Sequence, residues 1–236
     1  MKRFRNTIIL SVLLALTLCV GAQATENTML KVGLKYGTNA LFTARLQNYN
    51  DTLSGSGYEF GYYDADRSFV PLAATDEQRI TVTVDSNAYV SGGVCYETRP
   101  TNYSTILGAY HIELLTAFGS YEEALAVAQS YPKGFVAYID GAYRVRVGNH
   151  ASYDESARVL SETDVLAYGA QIITPSSTGV VVSVTDTDTV LFEFDCSGLR
   201  SLGVRPRSVS GEKTVTWFSG YRYYGGFEYQ RTTGGY

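Results

Sequence analysis

Residues 120–124 read SYEEA and residues 152–157 read SYDESA, so one short motif occurs twice, 32 positions apart. In each copy a Ser is followed three positions later by a Glu. These two residues can satisfy each other's free backbone N–H groups at the start of a helix. Each copy therefore predicts the first turn of a helix, and the pair indicates a duplicated structural unit.

Alternating apolar residues precede each copy of the motif. Tyr110–Leu114 lies before the first copy and Tyr143–Val147 before the second. A period of two is typical of a half-buried strand, because successive side chains point to opposite faces of a sheet. The repeated unit is therefore predicted to be a strand followed by a helix.

A hairpin connects the two repeated units. Phe135–Ile139 reads as a strand that meets the second alternating run through Asp140 and Gly141, two residues that accept the positive φ angles of a tight turn. Ala170–Ile173 supplies a last strand before Pro175. The predicted order is β-α-β-β-α-β over residues 108–174, and the predicted fold class is α+β.

The segments on either side of the repeat read as strands and turns. We expect a signal peptide at 1–24, a β-rich segment at 25–98, the repeat domain at 108–174 and a second β-rich segment at 179–236. The two β-rich segments are expected to pair as one interrupted domain, although two separate β domains remain an alternative. The predicted flanking strands are Leu30–Tyr36, Tyr58–Tyr63 with Ser68–Leu72, Ile80–Val84, Gly179–Thr185 with Thr189–Asp195, and Tyr221–Tyr224 with Phe227–Gln230 around Gly225 and Gly226.

The repeat resembles the sporulation-related repeat (SPOR) domain. The resemblance lies in the Tyr110–Leu114 strand that leads through Ala117 and Phe118 to a capped helix, and in the Tyr143–Gly148 strand before the second capped helix. It implies a ferredoxin-like sheet with two helices on one face, which binds bacterial cell-wall glycan strands stripped of their peptides. Glu113 stands where that family usually has Gln, and a carboxylate accepts hydrogen bonds but does not donate them.

The flanking segments resemble the N-terminal part of the stage II sporulation protein D and amidase-enhancer family. The matching stretches are Leu30–Leu34, Val180–Phe194 and Tyr223–Glu228. That family acts on peptidoglycan, some members as lytic transglycosylases and others as activators of cell-wall amidases. Its catalytic segment follows the aromatic stretch, and this chain ends at Tyr236 before such a segment. We therefore expect a truncated chain, no catalytic residue and no enzymatic activity of its own.

Side chains on one face of the repeat sheet are candidates for binding glycan. If Tyr110, Ile112 and Leu114 face the helices, the residues between them face away, and the same alternation applies to the other strands. An aromatic ring among hydrogen-bonding groups suits a sugar chain. The simpler alternative is that any half-exposed strand places polar residues outside. The predicted glycan-binding residues are His111, Glu113, Tyr138, Arg144 and Arg146.

The N-terminus predicts export from the cytoplasm. Lys2, Arg3 and Arg5 precede an apolar stretch at 8–22, and small residues follow where a signal peptidase cleaves. An uncleaved membrane anchor is the alternative, since residues 6–25 carry no charge. We therefore expect a secreted or cell-wall-associated protein that touches the membrane only through an uncleaved signal segment. The rings concentrated after Trp217 are expected to need cover from earlier strands or from a missing portion.

Composition argues against several other functions. The net charge of −4 gives no footprint for nucleic acid. His111 and His150 are the only histidines, and neither lies at metal-ligand spacing from a Cys or carboxylate, so we expect no metal and no cofactor. Cys95 and Cys196 survive signal cleavage, and the sequence leaves open whether they form a disulfide.

Taken together, the residues and resemblances predict an exported protein that binds peptidoglycan glycan strands during cell-wall remodelling, with a link to sporulation. The expected partners are the glycan strands and a cell-wall amidase. The alternative function is that of an N-terminal fragment of a lytic transglycosylase or of an amidase activator.

Overall fold

The structure is a computed structural model that describes residues 30–48, 55–162, 168–208, 214–232 and 235–236. The predicted signal peptide lies outside these residues. Within them, no helix has the length and apolar character needed to cross a bilayer.

The chain divides into two compact units, Met1–Leu34 and Lys35–Tyr236. The predicted strand at Leu30–Tyr36 is wrong, because residues 30–36 have no strand assignment and bend at 34–35. Alternation of apolar residues favours a strand only where a neighbouring strand supplies the hydrogen bonds, and none of the described strands pairs with residues 30–36. Leu30 is 85% exposed.

The described part of the second unit contains two α-helices and 17 strands. Two short 3₁₀ turns, Gly37–Asn39 and Ser197–Leu199, complete the regular structure. The strands are β1 (Thr43–Gln47), β2 (Tyr58–Tyr63), β3 (Phe69–Thr75), β4 (Arg79–Val84), β5 (Ala88–Ser91), β6 (Val94–Tyr96), β7 (Thr105–Leu107), β8 (Tyr110–Leu114), β9 (Gly134–Ile139), β10 (Ala142–His150), β11 (Ala170–Ile173), β12 (Gly179–Val184), β13 (Val190–Asp195), β14 (Leu202–Pro206), β15 (Val215–Phe218), β16 (Tyr221–Tyr224) and β17 (Phe227–Tyr229), and the helices are α1 (Tyr121–Ala128) and α2 (Tyr153–Glu162).

Both predicted helix starts are confirmed. The Ser120 hydroxyl accepts a hydrogen bond from the Glu123 backbone N–H, and the Ser152 hydroxyl accepts one from that of Glu155, each at 3.2 Å. In the second copy the Glu155 carboxylate also accepts from the Ala151 N–H at 3.0 Å. The duplicated motif therefore satisfies backbone donors that a helix start leaves free.

Replacing either capping serine is expected to weaken the fold by a small and similar amount. Ser120→Ala and Ser152→Ala should each lower the free energy of unfolding by about 1 kcal/mol, because each leaves an N-terminal N–H without its acceptor. Urea unfolding measures this change. Ser161→Ala, near the end of α2, is the control and should stay within about 0.5 kcal/mol of the wild type. Equal stability of all four proteins would show that water replaces the caps at no cost.

The predicted hairpin between β9 and β10 is also confirmed. Asp140 and Gly141 have φ angles of 52° and 82°, the combination that matches the right-handed twist of the flanking strands. The strands pair antiparallel from Ala142 opposite Ile139 to Val147 opposite Gly134.

The described strands form three sheets. The four strands of the repeat lie side by side in the order β11-β8-β10-β9, with antiparallel pairing throughout. This sheet continues beyond β9, which pairs parallel with β13, and runs through β12, β4, β1, β15 and β16 to ten strands. Strands from both sides of the repeat therefore pair within one sheet. The order of the other two sheets is β17-β14-β2-β3 and β6-β5-β7. The predicted α+β class is confirmed at this level.

The two faces of the ten-stranded sheet are covered differently. On the first face, a core that includes Phe192 and Val182 joins the sheet to α1 and to the four-stranded sheet. There the rings of Phe60 and Phe192 stack with centroids 5.7 Å apart. On the second face, Val181 packs in a separate apolar cluster with residues of the three-stranded sheet, Ala88, Val90, Cys95 and Leu107. The three-stranded sheet therefore lies over the second face. Cys95 and Cys196 are both buried and unpaired thiols.

The predicted hairpin around Gly225 and Gly226 is wrong. β16 pairs with β15 in the ten-stranded sheet, whereas β17 pairs with β14 in the four-stranded sheet. A Cβ at Gly226 would lie 2.5 Å from the Tyr63 hydroxyl oxygen, so the glycine permits a close crossing between sheets rather than a two-residue turn. Several rings of this region are covered by other parts of the chain. Tyr229 and Tyr236 are buried, in edge-to-face contact at 4.8 Å.

Candidate functional site

The five predicted glycan-binding residues do not share one face of the sheet. Tyr138 lies directly opposite Tyr143, whereas Arg144 lies opposite Ala137 and Arg146 opposite Phe135. Residues opposite each other on neighbouring strands share a face. Tyr138 is therefore on the helix-covered face, and its predicted orientation is wrong. Every residue from Phe135 to Ile139 is apolar or aromatic, so the sequence of β9 does not reveal which alternate set faces outward.

Three of the five residues are buried, and the predicted exposed polar face is therefore wrong. His111, Glu113 and Arg146 are 0%, 6% and 5% exposed. Arg144 is half-buried, and its guanidinium donates to the Leu115 carbonyl at 3.3 Å. The glycan-binding role of these residues remains an untested prediction, but at least three of them have no direct access to a ligand in this conformation.

The buried polar residues form a charge cluster centred on Arg146. Its Nε donates to Glu113 Oε2 at 2.9 Å, and a second guanidinium nitrogen donates to Glu193. Gln171 donates to the other oxygen of Glu113 at 3.2 Å. Burial disfavours the charge on Arg146, but the two carboxylates outweigh burial and raise its pKa. The guanidinium is thus a buried cation held by two anions.

His111 joins this cluster through Glu193. Its Nδ1 lies 2.7 Å from the Gly148 carbonyl oxygen, and because a carbonyl only accepts, Nδ1 carries the proton. Its Nε2 is 3.9 Å from Glu193 Oε2, and neither atom has a hydrogen-bond partner among the described residues. Burial lowers the pKa of His111, despite the nearby Glu193 carboxylate. The ring is therefore favoured in its neutral form.

Asp85 is a third buried carboxylate near Arg146. Its Oδ2 accepts from the Ser176 backbone N–H at 2.6 Å. Burial raises its pKa from 3.8 to about 8, and the charge of Glu193 contributes to the rise. In the part of the chain that the structure describes, no group of His, Cys, Asp and Glu side chains is arranged to hold a metal ion. The cluster is best explained as an internal ionic network.

The same face of the sheet carries a second row of side chains, which begins on β4, two strands beyond β13 and Glu193. Gln47 of β1 lies opposite Arg79 of β4 on one side and opposite Trp217 of β15 on the other. Trp217 in turn lies opposite Arg222 of β16. We call these four residues, Arg222, Trp217, Gln47 and Arg79, the cross-strand row. Neighbouring strands are about 4.8 Å apart, so the row extends about 14 Å across the sheet.

A groove of about 390 Å³ is lined by three residues of the cross-strand row, Trp217, Gln47 and Arg79. The guanidinium carbon of Arg222 lies 4.7 Å from the centre of the Trp217 ring, where a cation is attracted to the π-system. The turn formed by Ser219 and Gly220 also contributes to the wall. The lining residues are Arg45, Leu46, Gln47, Arg79, Thr185, Trp217, Phe218, Ser219 and Gly220.

Asp186 holds two of the groove's arginines. Its carboxylate lies 3.3 Å from Arg45 Nη2 and 3.3 Å from Arg79 Nη2. The side chains of Arg45, Arg79 and Asp186 are 40%, 55% and 38% exposed, so solvent reaches all three. With Arg222 added, three cations face one anion in this region. The groove therefore presents an aromatic ring and the guanidiniums of Arg45 and Arg79 to a ligand.

Neither the groove nor its central tryptophan was predicted as a site from the sequence. Thr43–Gln47 alternates, with Arg45 and Gln47 on one face and Ala44 and Leu46 on the other, a local signal for a half-buried strand. Trp217 is the only tryptophan of the chain. These two signals were available, but the pairing of Gln47 with Trp217 joins residues 170 positions apart and has no local signature.

Comparisons of this chain with protein-family models, with curated proteins and with solved structures find no match. The class of protein is therefore defined by the fold and the groove alone. It is an α+β protein with a buried ionic network at one end of a large sheet and an open, cationic, tryptophan-bearing groove towards the other.

Proposed function

We propose that this protein is an exported peptidoglycan-binding protein that holds glycan strands stripped of their peptides during cell-wall remodelling. The observation that carries the proposal is the groove along the cross-strand row. A sugar ring packs its apolar face on an aromatic side chain, and its hydroxyl and acyl groups need forked donors and acceptors beside that ring. Trp217 supplies the aromatic surface, with Arg222 over one face of its ring. The exposed guanidiniums of Arg45 and Arg79 supply hydrogen-bond donors.

The fold of the repeat is a second argument for peptidoglycan binding. We interpret β8-α1-β9-β10-α2-β11 as a ferredoxin-like module of the SPOR type. Its strand order, its all-antiparallel pairing and its two capped helices are compatible with that interpretation. On the face of the module opposite its helices, His111, Glu113 and Arg146 are buried in the ionic network. We therefore propose that the binding site lies at the groove.

Replacing Trp217 is expected to abolish most of the binding. Trp217→Ala should reduce the amount of protein pulled down by peptidoglycan sacculi treated with an amidase by at least about tenfold, since a central aromatic anchor is commonly worth 2 kcal/mol or more. The measurement is a cosedimentation assay on wild type and variant, with thermal unfolding to verify that both are folded.

Two variants serve as matched controls. Arg144→Ala removes a half-exposed arginine of the predicted but different site, and Tyr153→Ala removes an aromatic residue of α2 that is 53% exposed. Both should bind within about twofold of the wild type, as expected for residues outside a hot spot. Loss of binding in Arg144→Ala with full binding in Trp217→Ala would place the site on the repeat module. Failure of the wild-type protein to sediment would contradict the proposed function.

A further inference from the structure

Asp186 pairs with the two arginines that a ligand carboxylate in the groove would contact. It belongs to the turn between β12 and β13, and its carboxylate bridges Arg45 of β1 and Arg79 of β4. Arg45 and Arg79 both line the groove, whereas Asp186 does not. A guanidinium has five N–H donors in a planar fork and pairs well with carboxylates. Asp186 therefore uses only part of the donor capacity of this arginine pair.

The contacts of Asp186 are of the kind that a ligand exchanges readily. Their lengths of 3.3 Å exceed the 2.7–2.9 Å typical of strong hydrogen bonds between charged groups. All three side chains are substantially exposed, and exposed ion pairs contribute little to stability because water screens them. A second carboxylate that also packs on Trp217 would gain contacts that Asp186 does not make.

We propose that Asp186 is an internal competitor for the carboxylate of an acidic saccharide, and that Arg45 and Arg79 select acid-bearing sugars over neutral ones. This inference rests on the proposed function and names the substrate class of the same groove. A denuded glycan strand fits the class, because every second sugar carries a lactyl carboxylate. Gln47 separates Trp217 from Arg79 by two strand spacings, about 10 Å, so a ring and a carboxylate on successive sugars can bind together.

Asp186→Asn separates the charge of this residue from its shape. Asp186 has a φ of 67°, in the left-handed region that Asn and Asp tolerate better than other non-glycine residues. The variant therefore keeps the turn and removes the competing charge. Asp188→Asn is the matched control, since Asp188 lies in the same turn but pairs with Lys133 at 2.8 Å, away from the groove.

The single tryptophan of the chain lines the groove, so its intrinsic fluorescence reports binding directly. The probes are a tetrasaccharide of alternating N-acetylglucosamine and N-acetylmuramic acid, and chitotetraose as its neutral counterpart. We expect Asp186→Asn to bind the acidic tetrasaccharide about three- to tenfold more tightly, and Arg79→Gln to bind it about tenfold more weakly, as for loss of a charge-assisted hydrogen bond. Chitotetraose affinity should change less than twofold in both variants, and Asp188→Asn should match the wild type.

The outcomes distinguish this inference from the function on which it rests. Unchanged or weaker binding of the acidic sugar by Asp186→Asn would overturn the competitor role. If Arg79→Gln also left the preference for the acidic sugar unchanged while Trp217→Ala still lost binding to denuded sacculi, the proposed function would stand and the selectivity would be wrong. If neither the tetrasaccharides nor denuded sacculi bound the wild-type protein, both would be wrong.

Discussion

Arg146→Ala is expected to lower the free energy of unfolding by about 3–5 kcal/mol, the range for breaking a buried ion pair by removing one partner. Arg146 is the cation between Glu113 and Glu193, and all three side chains are less than 10% exposed. Without the guanidinium, two carboxylates face each other in a poorly solvated interior. Typical domains are stable by about 5–15 kcal/mol, so the variant should unfold at much lower urea concentration.

The control for this change lies two residues away on the same strand. Arg144→Ala removes the same side chain from a half-exposed position and should change stability by about 0.5 kcal/mol or less. A triple variant, Arg146→Met with Glu113→Leu and Glu193→Leu, replaces the three charges by apolar side chains and should recover most of the loss. If Arg146→Ala and Arg144→Ala proved equally stable in urea, water would have to reach the cluster.

The second large effect is a dependence of stability on pH through Asp85. Relative to Asp85→Asn, the wild type should lose about 3–4 kcal/mol of unfolding free energy between pH 5 and pH 9, at about 1.4 kcal/mol for each pKa unit. Burial, followed by the Glu193 charge, raises the pKa of Asp85 in the folded state from 3.8 to about 8. Urea unfolding of both proteins across this range measures the difference.

Stability falls as the pH rises because the folded state binds the Asp85 proton more tightly than the unfolded chain does. The folded state keeps Asp85 protonated up to about pH 8, whereas the unfolded chain releases that proton above about pH 4. Stability from Asp85 is therefore complete below pH 4 and is lost as the pH rises towards 8. Asn mimics the protonated acid, so Asp85→Asn should lack this loss. Parallel curves for the two proteins would mean that Asp85 is ionised in the folded state at neutral pH.

His111 and His150 make stability rise with pH, the opposite of Asp85, and they do so at lower pH. Burial lowers the pKa of both His111 and His150. The stability they contribute is therefore present above their unfolded pKa of about 6.5 and is lost as the pH falls below it. The contributions of the two histidines are the same in the wild type and in Asp85→Asn, so they cancel when the two proteins are compared. Burial also raises the pKa of the Cys95 and Cys196 thiols, which keeps them protonated through the neutral range.

The ionic network explains why position 113 is Glu, whereas the SPOR family that the repeat resembles usually has Gln there. Glu113 lies directly opposite Arg146 on the neighbouring strand, and its two oxygens accept from Arg146 and Gln171. An amide at this position would accept from Arg146 without neutralising it. The carboxylate is therefore explained by the buried cation beside it, and its presence needs no contact with a sugar.

Local physical rules were enough to predict the repeat from the sequence. The caps at Ser120 and Ser152 depend on residues three positions apart, and the turn at Asp140 and Gly141 depends on two adjacent residues. Such interactions lie within one turn of chain and leave a signature in the order of residues. Alternation of apolar residues predicted β8 and β10, and the turn signals beside short apolar runs predicted β9 and β11, each within about one residue at its start.

Only the tertiary structure decided which faces are buried and where a ligand can bind. The pairing of β9 with β10 and β13 decided which of its side chains face away from the helices, since the residues of β9 are uniformly apolar. The polar residues of the repeat became part of an internal network because β13, from outside the repeat, brings Glu193 to Arg146. The groove exists because Gln47, Arg79 and Trp217 meet on neighbouring strands. Pairing between distant residues depends on the packing of whole layers, and no short stretch of sequence encodes it.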